Sequence, residues 1–174
     1  MTKTIDQTEG PPSLHLALCW AVDSPLPHPH STRALVRQLQ SDDEPALGSL
    51  FWAAFRGTID DPGTAHSAAA DAKDALTGRW GPMIPEASLA AWDGTDMVSA
   101  VVVLRDDAHK GLPLLAFVAT HPSRQRQGLA RALISAAVGA LHAKGQRELH
   151  LAVTIGNPAL TLYTALGFAV VDPE

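Results

Sequence analysis

The sequence predicts a mixed α/β sheet domain, and three observations predict it. Apolar residues recur at helical spacing over two separate stretches, Leu47 to Phe55 and Leu129 to Leu141. Between them, Ser88 to Trp92, the turn residues Asp93-Gly94, and Met97 to Leu104 have the run–turn–run form of an antiparallel hairpin. Strand-like runs then alternate with helical ones to the end of the chain, the order expected of helices packed on a sheet. A length of 174 residues with 46% hydrophobic and 18% charged residues supports one well-cored domain, not two.

The elements follow in order. Met1 to Ser31 is expected to be an N-terminal extension, and residues 32–174 the domain. Within the extension, Gly10-Pro11-Pro12 and the stretch from Pro25 to His30 flank the apolar run Leu14 to Val22, which reads as a disordered start, one strand and a stiff linker. Leu35 to Leu39 is strand-like. Ser41-Asp42-Asp43-Glu44 then has the form of a capping box, with Pro45 in the first turn of the helix that carries Leu47, Leu50, Phe51, Ala54 and Phe55. The Gly57 to Gly63 loop leads into an Ala-rich second helix, Thr64 to Leu76, ending near Gly78; Trp80 to Pro85 is loop. After the hairpin and an Asp107 to Gly111 turn, Leu112 to Thr120 is a third strand of the same sheet. A long helix over Leu129 to Leu141 closes with Lys144 in its last turn and Gly145 just beyond. Leu149 to Val153 is a strand, Asn157-Pro158 opens a helix that Gly167 stops, and Phe168 to Val171 begins a last strand.

Charge and cysteine content narrow the function. Thirteen basic against 18 acidic residues give −5 at pH 7, which argues against nucleic-acid or anionic-membrane partners, whose affinity rests on many phosphate contacts. Cys19 is the only cysteine, so no disulfide forms within one chain and a cytoplasmic setting is expected. Leu14 to Val22 is about half the roughly 20 residues of a membrane span. His28 and His30 lack a third ligand, and no metal is expected.

The chemistry concentrates in Leu114 to Arg131, a strand, a short loop and a helix start. The N–H groups that open a helix are unpaired and partly positive, so a small residue that lets a ligand approach makes such a start a phosphate cradle. Gly128 and Ala130 are placed for it, and Arg124, Arg126 and Arg131 raise the local positive charge. Neither G-x-x-x-x-G-K-[ST], nor G-x-G-x-x-G after a strand, nor G-x-S-x-G occurs, so P-loop, dinucleotide and α/β-hydrolase readings lack support.

Gln125-x-x-Gly128-x-Ala130, preceded by a strand and His121-Pro122, resembles the acyl-CoA pyrophosphate loop of the GNAT superfamily of N-acyltransferases. Asn157 to Phe168, with Leu162-Tyr163 and Gly167-Phe168, resembles that family's next motif. The resemblance is strongest over Leu112 to Phe168. It implies a GNAT fold, a central twisted mixed β-sheet with a splayed parallel strand pair, flanked by helices. It also implies acetyl-CoA as co-substrate: backbone amides of Arg126, Gln127, Gly128, Leu129, Ala130 and Arg131, with Gln125, receive the pyrophosphate, and main chain of Val118, Ala119 and Thr120 pairs with the pantetheine and the thioester carbonyl. Tyr163 matches the family's general acid, although a tyrosine at this place also serves a core. The family's CoA-contacting asparagine falls at Gly156; Asn157, one residue later, is a ligand candidate and a helix cap.

No residue stands out as the base. Glu148, His150 and His121 are candidates, and Phe51, Trp52, Phe55 and Trp80 lie on the segments that wall the family's acceptor site. The expected activity is transfer of an acetyl group to a small-molecule amine or a protein amine, and a non-catalytic acyl-CoA-binding module is the alternative. The family continues beyond its Gly-Phe pair into a strand hairpin, whereas here the sequence stops six residues after Phe168. Leu14 to Val22 is therefore expected beside Phe168 to Val171, or beside the sheet of a second copy in a homodimer.

Overall fold

The computed structural model describes residues 12–19, 34–106 and 110–171. Seven strands form one sheet: β1 (Ser13–Cys19), β2 (Leu35–Gln38), β3 (Leu89–Asp93), β4 (Asp96–Asp106), β5 (Leu112–Thr120), β6 (Glu148–Thr154) and β7 (Ala169–Val170), in the order β2-β3-β4-β5-β6-β1-β7. Four helices flank it: α1 (Glu44–Phe55), α2 (Ala65–Thr77), α3 (Leu129–Ala143) and α4 (Leu160–Ala165). Every neighbouring strand pair is antiparallel except β5 and β6, which are parallel. The mixed sheet expected from the alternation of runs is the observed one.

Each face of the sheet carries its own core. On one side Leu47, Phe51, Ala68 and Ala72 of α1 and α2 pack on Ala100, Val102 and Leu104 of β4. On the other, Leu133, Ala137 and Leu141 of α3 and Tyr163 of α4 pack on Leu149, Leu151 and Val153 of β6. The Ala-rich character of α2 has a physical reason. Ala68, Ala72 and Ala75 are fully buried, and a Cβ at Gly48 of α1 would stand 3.0 Å from the Ala69 Cα. Small residues on both helices let their backbones approach closely. Among the described residues no helix is long and apolar enough to cross a membrane.

Two local expectations are corrected. Ser41 does not cap α1; it opens a 3₁₀ turn, Ser41–Asp43, and the box shifts back by one residue, with the Asp43 carboxylate accepting the Gln40 N–H at 2.9 Å. The reason is a competing partner. Arg37 of β2 grips Asp43 in two parallel bonds of 2.7 Å and lies 4.5 Å over the Trp92 ring, fixing the acidic residue one place before the helix. Likewise α4 starts at Leu160, after a turn that Asn157 caps by accepting the Ala159 N–H at 2.8 Å.

The Arg37 hydrogen bonds hold the buried Asp43 carboxyl below the usual carboxylate range, against the opposing effect of burial. Replacing Asp43 by alanine therefore removes about 2 kcal/mol, read as a fall in Tm of about 4–8 °C at neutral pH. Arg79→Ala, which breaks an exposed pair with Asp74, shifts stability by no more than about 0.5 kcal/mol. A lowered native pKa gives stability that is present above pH about 4 and lost as pH falls through the native value, so the Asp43 gap closes in acid.

The N-terminal strand departs most from expectation. It runs Ser13–Cys19, pairs within the same chain, and lies between β6 and β7. The expected neighbour is present, with Leu16 opposite Val170 and Ala17 opposite Ala169. The larger contact is with β6, from Ser13 opposite Thr154 to Cys19 opposite Glu148. Residues 20–22 of the expected strand, the disordered start and the Pro-rich linker lie outside the described residues.

Candidate active site

The site begins where two strands part. The parallel register of β5 and β6 consists of one pair, Leu114 with His150, and nothing joins the strands beyond it. A register shift opposite Val102 and Val103 of β4 leaves Ala116 as a bulge in β5, just past that pair. The main-chain groups that β5 turns toward β6 after the bulge thus have no strand to bond. The two-residue alternation of an antiparallel ladder says which these are. His121 donates its N–H to Val98 O, and Ser99 Oγ donates to Ala119 O at 3.0 Å, so Ala119 directs its main chain to β4. Val118 and Thr120 direct theirs into the gap. The Thr120 hydroxyl bonds Ser99 Oγ at 2.8 Å and its carbonyl accepts from the Gln125 side chain, which leaves its backbone N–H as the part on offer.

The loop after β5 is built to present amides. Gln125 donates its side-chain N–H to Thr120 O at 3.2 Å and Gln127 donates to Ser123 O at 3.3 Å, folding the loop onto itself. His121 Nδ1 is held by Ser123 Oγ at 2.8 Å, which ties this histidine into the loop. Arg126 and Gly128 both adopt left-handed backbone, φ 63° and 79°, the kind of conformation from which anion-binding nests of backbone N–H groups are built. A Cβ at Gly128 would meet no atom within 4 Å, so the cradle is open to a ligand there. Ala132 is the first residue of α3 to bond back along the helix, to Gly128 O, which leaves the N–H groups of Leu129, Ala130 and Arg131 without helical partners. The Leu129 side chain is core, and only its backbone faces the loop. Of the three arginines, Arg124 is paired with Asp93 at the end of β3, so the positive charge at the cradle comes from Arg126 and Arg131.

Tyr163, the expected general acid, is a core residue of α4. It is 8% exposed, in the core under α4, with its ring 5.9 Å from that of Phe168 in an edge contact. Burial, and next the charge of Asp60, push its phenol up to about 12. Neither influence is a hydrogen bond, and the phenol is kept firmly in its protonated, proton-donating form.

Asp60 is the residue that sequence reasoning missed. It lies in the loop between α1 and α2, where Asp61 accepts the N–H groups of Gly57 at 2.5 Å and Gly63 at 2.7 Å and so closes the loop on itself. Asp60 is left to face the end of β6, where Oδ1 accepts the Thr154 hydroxyl at 2.6 Å and Oδ2 the Asn157 amide at 2.5 Å. Asn157 therefore spends one side-chain group on capping and the other on Asp60. Gly156, at φ 93°, makes the turn between them beneath the Ile59 side chain.

A cleft of about 250 Å³ opens on the α1–α2 face of the parting strands, lined among others by Trp80, Leu104, Ala116, Phe117 and Ala152. Phe117 stacks on the buried Phe51 at 4.6 Å and meets Trp80 at 5.6 Å. Phe51 is thus core beneath the cleft, and Trp80 is wall. Trp52 carries Arg56 over its ring, and Phe55 packs beside Phe51. Glu148 and His150 approach to 3.1 Å at the closed end of the strand pair.

A mixed seven-stranded sheet with one parallel pair, flanked by helices, is the GNAT type of fold. Residues 86–170 match the family model described as the acetyltransferase (GNAT) domain. Similar solved structures include a GCN5-related N-acetyltransferase from Sphaerobacter thermophilus, 21% identical with a TM-score of 0.68 over 91% of this chain and 48% of that one. The PaiA N-acetyltransferase from Thermoplasma acidophilum, in complex with coenzyme A, is 15% identical with a TM-score of 0.66 over 82% of this chain and 94% of that one. The ribosomal-protein-S18-alanine N-acetyltransferase from Escherichia coli is 22% identical with a TM-score of 0.58 over 76% of each chain. This chain spans about half the length of the Sphaerobacter protein. No curated protein matches the sequence.

Proposed function

We propose that this protein transfers the acetyl group of acetyl-CoA to a primary amine by direct attack on the thioester. One observation carries the reading: the parallel pairing of β5 and β6 ends at Leu114 and His150, and β5 then runs into a loop whose Arg126 and Gly128 are left-handed before the open first turn of α3. The residues fit the co-substrate. The left-handed Arg126 and Gly128 and the unpaired first-turn amides of α3 suit a pyrophosphate, and the gap-facing main chain of Val118 and Thr120 suits an amide-bearing arm. Acetyl-CoA supplies an activated acyl group and a thiol leaving group.

The chain's own residues do the rest. An N–H on the gap side of β5 is aimed where negative charge builds on the carbonyl oxygen, which lowers the barrier more than it tightens ground-state binding. The acceptor reaches the gap as an ammonium and loses one proton to solvent. Its nitrogen then bonds to the carbonyl carbon as the C–S bond breaks. Tyr163 gives its proton to the sulfur and regains one from the new amide nitrogen. The sum is an amide, a free thiol and one released proton.

The test separates cofactor from chemistry. At 100 times its Kd, CoA raises Tm by about 5–10 °C, and ATP leaves Tm unchanged. Acetyl-CoA with a panel of primary amines then releases thiol in step with acetylated amine. A CoA shift without transfer to any amine overturns the enzyme in favour of a binding module.

A further inference from the structure

Alternation along β6 sorts its side chains. Leu149, Leu151 and Val153 lie in the core under α3 and α4, so Ala152 and Thr154 share the opposite face. Ala152 lines the cleft with Trp80 and Phe117, and Thr154, two residues on, holds Asp60. An apolar cleft and a carboxylate therefore sit side by side at the mouth of the gap. Both donors to Asp60 are neutral, a hydroxyl and an amide, and no cation pairs with it among the described residues. Each carboxylate oxygen keeps a lone pair for a further donor. Asn157, which Asp60 holds, sits in the turn that leads into α4, the helix of Tyr163.

We infer that the acceptor is a primary amine on a compact apolar body, about one ring in size, whose ammonium is recognised by Asp60 and whose body fills the cleft between Trp80 and Phe117. This rests on the transferase reading above. Size and chemistry both select the occupant. The cleft, at about 250 Å³, falls below the range of pockets for drug-sized ligands, about 300–1,000 Å³, and is open to solvent, so its walls cover about one ring and leave a larger body in water. Its named walls are apolar, so a polyamine would bury a second ammonium with no partner. Trp80 is 41% exposed, a large apolar surface left for a ligand to cover, and Ile59 beside Asp60 is 50% exposed at the rim.

The test uses the full chain with acetyl-CoA and three amines: 2-phenylethylamine, ethanolamine and spermidine. The expected kcat/KM for 2-phenylethylamine exceeds that of both others by about 10-fold or more. Asp60→Asn keeps a side-chain oxygen for Thr154 but loses the charge; it raises the KM for 2-phenylethylamine about 10-fold, moves kcat less, and leaves the CoA-induced Tm shift intact. Trp80→Ala reduces the preference for 2-phenylethylamine over ethanolamine. Preference for spermidine or ethanolamine, or an Asp60→Asn loss confined to kcat, overturns the inference while the transferase reading stands. Transfer to none of a broad amine panel, with the CoA shift present, overturns the transferase reading instead.

Discussion

Tyr163→Phe lowers kcat for acetyl transfer by roughly 10²–10³-fold and leaves the CoA-induced Tm shift unchanged. The substitution removes one oxygen and nothing else. The ring stays in the core beside Phe168, where it is 8% exposed, so the variant folds and any loss belongs to the hydroxyl. A thiol leaves at a pKa near 8.5, and a phenol is the weaker acid of the two, which suits it to hand over a proton only as charge develops on sulfur. A phenol pushed up to about 12 also has a consequence for stability. The native state keeps the proton longer than the unfolded chain does, so stability falls as pH rises from about 10 to 12, by about 3 kcal/mol in all. Tyr163→Phe flattens that fall. Alkaline denaturation followed by fluorescence checks it, and an equal fall in both proteins refutes the buried, protonated phenol.

How much of this was readable beforehand follows from where the contacts lie along the chain. The cradle of Gln125 to Arg131 is legible because every group in it comes from one stretch, and a strand, a loop and a glycine before a helix define it locally. Tyr163 is legible for the same reason, between a capped turn and the Gly167-Phe168 stop. Asp60 is not: its bonds to Thr154 and Asn157 cross 94 and 97 residues, and nothing in the Gly57 to Gly63 loop marks which of two neighbouring aspartates turns inward. Only the spent hydrogen bonds of Asp61 decide it. Arg124 shows the converse. Its place in the sequence counts it with the cradle, and a partner at the end of the distant β3 takes it away. Strand β1 is legible as a strand from its Pro-flanked apolar run. Its seat against β6 is not, because period-two patterns state a face and not a neighbour.

That seat makes Leu16 a position whose loss the sheet tolerates poorly. Leu16 is fully buried in the core shared with Leu149, Leu151 and Phe168, and its strand joins β7 to everything else, since β7 pairs with β1. Leu16→Ala removes the transfer energy of the side chain and leaves a cavity that backbone on both sides prevents from closing, at a cost of about 3 kcal/mol. For a chain of this length that is a Tm lower by about 6–12 °C. The same substitution at Leu35, on the far edge strand and 68% exposed, changes stability by no more than about 0.5 kcal/mol. The pair of variants tests position against composition, because both remove one leucine from a strand. If β1 were a dispensable extension docked on a complete domain, the two would unfold at the same temperature. Because β1 instead covers the edge of β6 that carries Thr154, the expected loss reaches the site as well. Leu16→Ala lowers the temperature at which acetyl transfer fails in step with Tm, and an unchanged temperature of failure beside a lowered Tm would separate the N-terminal strand from the proposed site.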